Sequence, residues 1–302
     1  MIYLKSFELP SQATESGAFG STSPTYFTTL YPFQVFPSKG LKSIHFSDIT
    51  IFSGSNGSGK STLLNVIGEK LGLERVSPFN KTELYDQYIR LTDCAMDVFD
   101  RMKLHELMGI SKIITSDDVF EHILKVRERN ANIDFKRSVI RDRRTEYLYD
   151  RDSRPREINF EDEDSVARFK EYAELTNHNT SFSSYVRRNM VANERTYSNG
   201  ENAFRYFTDA IKPGGLYLLD EPENSLSAQY QLDLADFLLG MARFYDCQFI
   251  ISSHSPFLLS IPYALIFDMD KVPVVKCSWT ELPNVRIYHD FFDQHKDEFE
   301  GQ

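Results

Sequence analysis

Gly54-Ser55-Asn56-Gly57-Ser58-Gly59-Lys60-Ser61 is a complete G-x-x-x-x-G-K-S loop, and what flanks it decides the fold. Upstream, Leu41 to Phe52 reads as β structure and ends in the apolar run Ile49-Thr50-Ile51-Phe52. Downstream, Leu63, Leu64, Ile67 and Leu71 recur at helical spacing, which predicts a helix over Lys60 to Leu71. Glycines between a strand and a helix let the backbone curl until successive N–H groups face inward. The helix then adds the positive end of its dipole, so the loop suits phosphate oxygens. Lys60 reaches the β- and γ-phosphates in such a cradle, and the Ser61 hydroxyl ligates Mg²⁺. The phosphate contacts are expected over Gly54, Ser55, Asn56, Gly57, Ser58, Gly59, Lys60, Ser61 and Thr62. The bland alternative is a chance glycine-rich turn, which the strand before and the helix after argue against.

Further along, Leu216-Tyr217-Leu218-Leu219 is a buried strand in pattern, and two carboxylates, Asp220 and Glu221, follow it. A strand packed on both faces projects Asp220 from its tip toward a metal, and places Glu221 to orient and deprotonate water. Standing alone, the stretch would read as a strand ending in a solvated acidic turn; the upstream loop makes the metal reading the better one. A helix is expected from Asn202 to Ile211. Another, Ala228 to Arg243, carries Tyr230, Leu234, Phe237, Leu238 and Met241 on one side, and Gln248 to Ser253 is the next strand. Short apolar strands alternating with helices imply an α/β domain with a mostly parallel central sheet flanked by helices. Ligands of such sheets sit at the carboxyl ends of the strands.

The two ends of the chain enclose a different middle. Residues 1–10 alternate like a strand, an N-terminal β portion, and residues 11–25 read as a flexible loop. Residues 73–195 are polar and rich in helix formers. Ser116 with Asp117 and Asp118 marks a helix start, and Val119, Phe120, Ile123, Leu124 and Val126 give that helix an apolar face. Residues 145–165 suggest a short hairpin. The expected organisation is a core of residues 1–75 and 196–302 interrupted by a mainly helical insertion, 76–195.

Composition narrows the function classes. The chain has 302 residues and a net charge of −10, which argues against a surface that binds nucleic acid throughout. Residues 125–156 nevertheless hold eleven Lys/Arg against six Asp/Glu, a local +5 inside the insertion. Three scattered cysteines, Cys94, Cys247 and Cys277, suggest neither a disulfide framework nor a zinc site. No apolar run is long enough for a membrane helix, and the N-terminus lacks the zones of a signal peptide, so a cytoplasmic protein is expected.

Asp220-Glu221-Pro222-Glu223-Asn224-Ser225-Leu226-Ser227 resembles the Walker B and D-loop segment of ABC-type P-loop ATPases. Tyr197-Ser198-Asn199-Gly200-Glu201 resembles their signature, with Asn199 in place of the usual glycine, and Ile251-Ser252-Ser253-His254-Ser255-Pro256 resembles their switch-histidine loop. Tyr31-Pro32-Phe33, Pro256 to Pro262, Trp279 to Leu282 and Tyr288 to Phe292 are similar to small stand-alone bacterial predicted ATPases, distant relatives of SMC- and RecF-type ATPases. The likeness covers roughly residues 28–75 and 180–300.

The resemblance implies a nucleotide-sandwich homodimer. Each site would combine one copy's Gly54–Ser61, Asp220, Glu221 and His254 with the other copy's Ser198 and Gly200. His254 would bond the γ-phosphate, Gln87 is the candidate Q-loop ligand to Mg²⁺, and Tyr31, Phe33 and Phe36 are candidates to stack on adenine. Arg187 and Arg188, just before the signature, are candidate phosphate or partner contacts. The cofactors implied are ATP and Mg²⁺. The expected function is ATP binding and hydrolysis coupled to another process, with DNA repair and phage defence among the candidates. The alternative is an ATP-dependent switch that binds DNA through the basic stretch, or an effector protein, with little turnover. An energy subunit of a membrane transporter is disfavoured, because the segment between loop and signature resembles no transporter coupling region.

Overall fold

The computed structural model describes the chain apart from residues 20–28, 99, 156, 158, 178–180, 191, 193–197 and 301–302. It divides into two compact units, Met1–Glu121 with Ser198–Gln302, and His122–Tyr197.

The first unit is built on two sheets. β1 (Leu4–Glu8), β2 (Ser43–His45) and β4 (Asp93–Met96) form an antiparallel sheet in the order β2-β1-β4. The larger sheet uses β3 (Ile49–Ser53), β5 (Lys112–Thr115), β6 (Leu216–Asp220), β7 (Gln248–Ser252), β8 (Leu265–Asp268) and β9 (Val275–Cys277), in the order β5-β6-β7-β3-β8-β9. All its pairings are parallel except β8 with β9. Every residue of β3 and β7 is buried, as is β6 up to Asp220, which is why these runs read as continuously apolar rather than alternating.

Around the sheets lie α1 (Gln12–Phe19), α2 (Lys60–Leu71), α3 (Tyr85–Arg90), α4 (Arg101–Ile110) and the start of α5 (Ser116–Tyr149). After the second unit, with its α6 (Glu163–Thr176) and α7 (Phe182–Asn189), come α8 (Asn199–Ala210), α9 (Ala228–Phe244), α10 (Pro256–Leu259), α11 (Pro283–Gln294) and α12 (Lys296–Glu300). Of the expected apolar face of α2, Leu63, Leu64 and Ile67 are fully buried and Leu71 is half-buried, and Gly72 ends that helix in the left-handed conformation.

One residue joins the two sheets. Gln248, at the start of β7, accepts N–H bonds from Tyr3 and Leu4 at 2.9 and 2.8 Å and donates to the carbonyls of Leu4 and Ser47 at 2.9 and 3.1 Å. A fully buried amide is thereby satisfied on both of its ends.

Three expectations need correction. Within the supposed loop 11–25, residues Gln12–Phe19 are helix α1, fixed by a tertiary contact that local sequence does not announce: buried Glu15 accepts the Gln34 N–H at 2.7 Å. No strand occurs among the described residues of 145–165. Instead α5 runs to Tyr149, and Arg154 folds back to donate to the carbonyls of Tyr147 and Leu148 at 2.7 and 2.6 Å, capping its end. Finally, the second unit begins at His122 rather than at residue 76, because β4 pairs with β1 and β5 with β6.

The second unit is helical among its described residues. Much of its basic stretch holds it together. Arg143 meets both oxygens of Glu171 at 2.7 and 2.8 Å, Arg144 donates to the Leu175 carbonyl at 3.0 Å, and Arg141 and Arg144 lie over the Phe182 ring.

Candidate active site

The loop between β3 and α2 encloses its own lysine. Lys60 Nζ donates to the carbonyls of Gly54 and Ser55 at 2.8 and 3.1 Å, and the Ser58 N–H donates to Ser55 at 3.1 Å. Burial lowers the Lys60 pKa, while Glu221, Asp220, Asp270 and Glu223 pull it back up. Gly57 and Gly59 have φ of 79° and 94°, a region costly for side chains, and a Cβ on Gly59 would come within 3.2 Å of Val35. Asp270, two residues past β8, holds the loop's shoulder: it accepts the Ser55 N–H on both carboxylate oxygens at 2.9 and 2.7 Å and the Ser55 hydroxyl at 2.7 Å.

The parallel register of β6 and β7 sets Asp220 opposite Ser252. Asp220 Oδ1 accepts from the hydroxyls of Ser252 and of Ser61, the latter at 3.0 Å. Burial raises the Asp220 pKa, and these two hydroxyls oppose the rise. Glu221 is left-handed, with φ 48° and ψ 52°, a conformation that costs a non-glycine residue about 1–3 kcal/mol. The turn is pinned by the Glu221 N–H, which donates to the Ser252 carbonyl at 3.0 Å. Its side chain accepts from Asn224 Nδ2 at 2.9 Å, and Oε1 lies 3.5 Å from His254 Nε2, an electrostatic contact rather than an aligned hydrogen bond. Burial depresses the His254 pKa first, the Lys60 cation second, and Glu221 opposes both.

Glu223 anchors the histidine's loop. Its Oε1 accepts from the Ser253 hydroxyl at 2.9 Å and from the His254 and Ser255 N–H groups. Ser198 caps α8 by accepting the Glu201 N–H at 3.2 Å, and is itself exposed. Gly200 follows in the first turn, where a Cβ would meet Tyr230 Cδ2 at 3.0 Å. Tyr197, the first residue of the signature-like stretch, lies outside the described residues.

A cleft of about 460 Å³ is lined by Asn56 to Thr62, Glu221, Val35 and Tyr31. Of the three aromatic candidates, only Tyr31 reaches it, with its hydroxyl 3.2 Å from Thr62; Phe33 and Phe36 are buried in the core. Gln87 is not brought to the cleft: its amide donates to the Ala18 carbonyl at 3.2 Å. Arg187 and Arg188 sit at the end of α7 in the second unit. Sequence reasoning missed Asp270, Glu223 and Ser252. The strand before Asp270 had a readable signal, since Leu265-Ile266-Phe267-Asp268 repeats the pattern of an apolar strand tipped by acid seen at Leu216–Asp220, but that pattern marks Asp268 and stops two residues short of Asp270.

These residues fit a magnesium–nucleotide. The first turn of α2 carries no side-chain cap and no acidic residue, leaving its N–H groups to an anion. Buried Ser58 Oγ has no partner among the described residues. Ser61 and Asp220 present two hard oxygens side by side, the donor type Mg²⁺ takes. Gln87 adds nothing to that set.

Residues 203–260 match the family model described as "AAA domain, putative AbiEii toxin, Type IV TA system". Comparison with curated proteins gave no match. Among solved structures, the Smc head domain of Pyrococcus furiosus, crystallised with the C-terminal domain of ScpA, is 16% identical at a TM-score of 0.43, covering 96% of this chain and 100% of that one. The SMC head domain of Thermotoga maritima is 14% identical with a TM-score of 0.39, covering 91% and 99%. A dimeric bacterial ABC transporter cassette is 16% identical with a TM-score of 0.39, covering 91% and 98%. With a P-loop between β3 and α2 and carboxylates at the tip of β6, the chain has the site of a P-loop α/β fold, and its segment across α8 to α10 is similar to that AAA domain family.

Proposed function

We propose that the protein binds Mg·ATP in the cleft and hydrolyses it, with two copies closing on two nucleotides. The observation that carries this reading is the convergence of Ser61, Asp220, Glu221 and His254 on the loop that holds Lys60. Gly54 to Thr62 would receive the phosphates through N–H groups and Lys60, and Ser61 with Asp220 would hold Mg²⁺. The metal supplies charge neutralisation to the phosphates. Glu221, aimed by Asn224 and pinned at Ser252, takes the proton of the attacking water. A His254 kept neutral by burial and by Lys60 serves as a hydrogen-bonding group toward phosphate and water rather than as a second cation.

Ser198 and Gly200 stand exposed and half-buried at the N-terminus of α8, with groups suited to an anion on a facing copy. The γ-phosphate then provides the differential contact that favours the closed pair before hydrolysis and not after. The experiment is size measurement of Glu221→Gln protein with and without Mg·ATP, beside turnover of the wild type. The expected result is measurable hydrolysis by the wild type and a stalled, ATP-dependent dimer for the variant. No nucleotide-dependent change in size, together with no turnover, defeats the reading.

A further inference from the structure

A second cavity, about 780 Å³, is lined by the turn after β7 and by α11 rather than by the P-loop. Phe257, Trp279, Tyr288 and Phe292 bring four aromatic rings to its wall, and Glu223 contributes to the same wall. Glu223 is only 9% exposed. Its Oε1 takes all three donors from Ser253, His254 and Ser255, whereas Oε2 has no partner among the described residues. A buried carboxylate oxygen without a donor is costly, and the ring faces are negative poles. Both features call for the same group.

We propose that this cavity binds an organic cation: a guanidinium or ammonium group, carried on a short apolar stem, which pairs with the Glu223 carboxylate among the rings. The segment 281–300 that supplies α11 holds six Asp/Glu against two Lys/Arg, although none of those acids lines the cavity itself. One of those two, Arg286, is exposed on the cavity wall and makes an aromatic anion the rival ligand. The cation can come from a free small molecule or from the side chain of a protein partner. An occupant would bind here whether or not the cleft hydrolyses ATP. Because Glu223 also holds the His254 loop, an occupant would be joined to that loop through a single carboxylate.

The test is calorimetry on the full chain with Nα-acetyl-arginine amide, its neutral citrulline analogue, and benzoate. A second arm uses a short peptide with one arginine between leucines, and its citrulline twin. The expected result is at least about tenfold tighter binding of arginine than of citrulline, the scale of one charge-assisted hydrogen bond. That preference should vanish in Glu223→Gln. Trp279→Ala and Tyr288→Ala change residues 36% and 50% exposed, so they test the rings without risking the fold, and each should weaken the arginine probe. A peptide that outbinds the amide assigns the site to a protein side chain; equal affinities assign it to a small cation. Equal binding of arginine and citrulline, preferential binding of benzoate, or no heat at millimolar probe overturns the proposal. If Glu223→Gln does not fold, unchanged arginine affinity in both ring variants overturns it as well.

Discussion

His254 shows how neighbours set the chemistry of one side chain. Burial and the Lys60 cation both disfavour its charged form, against the pull of Glu221. An NMR titration of the nucleotide-free protein is therefore expected to place its midpoint below the ordinary histidine value. Lys60→Met should move that midpoint up, and Glu221→Gln should move it further down; no response to either change would disprove this account of the environment. Asp220 works in the opposite sense. Its pKa is raised by burial, so its contribution to stability is present below the ordinary carboxylate pKa and is lost as pH rises through the raised one. Asp220→Asn should thus melt higher than the wild type without nucleotide at pH 8, with the advantage shrinking as pH falls toward 4. The same change should abolish Mg²⁺-dependent nucleotide binding, a trade of function for stability. At this scale the sequence was legible where a motif constrains type and spacing together, as in Gly54–Ser61 and Asp220–Glu221. It was not legible for Glu223, Asp270 or Ser252, whose partners lie 30 or more positions away and are joined only by folding.

Helix α8 is the element on which the two-copy reading turns. Its cap, Ser198, satisfies the Glu201 N–H of the first turn, and the positive end of the helix dipole there suits an anion. Ser198→Ala is expected to cost about 1 kcal/mol of stability, read from chemical denaturation, and to weaken ATP-dependent self-association well beyond that small loss. Full retention of the association would remove Ser198 from the shared site. Gly200 admits no Cβ without displacing the ring of Tyr230, so closeness to α9 accounts for the residue type as well as any contact with phosphate. Periodicity found α2, α8 and α9 because each buries one face, α2 and α9 against the sheet and α8 against α9. It missed α1, which depends on Glu15 meeting Gln34; residues 145–165, which show no clear period, suggested a hairpin, whereas α5 runs to Tyr149 and Arg154 caps it from beyond. Long-range polar contacts write no period into a sequence.

At the scale of the whole molecule, alternation of strands and helices was enough to give a parallel sheet and the edge where ligands gather. The extent of the second unit was less legible, since β4 and β5 are short and their partners, β1 and β6, are distant in sequence. The joint between the sheets is exposed to a direct measurement. Gln248→Leu leaves two N–H groups and two carbonyls of the interior without partners, and is expected to destabilise the fold by more than about 3 kcal/mol. Unfolding in urea would show it; a loss under 1 kcal/mol would mean that the amide is dispensable. Strand β7 begins at this glutamine and ends at Ser252, the serine that Asp220 and Glu221 lean on. Five residues of extended chain make a stiff rod of roughly 17 Å, riveted at one end to the first strand of the protein and at the other to the turn bearing the acids. If the cleft hydrolyses ATP as proposed, a binder that grips the N-terminal strand would reach the acid-bearing turn from outside the cleft.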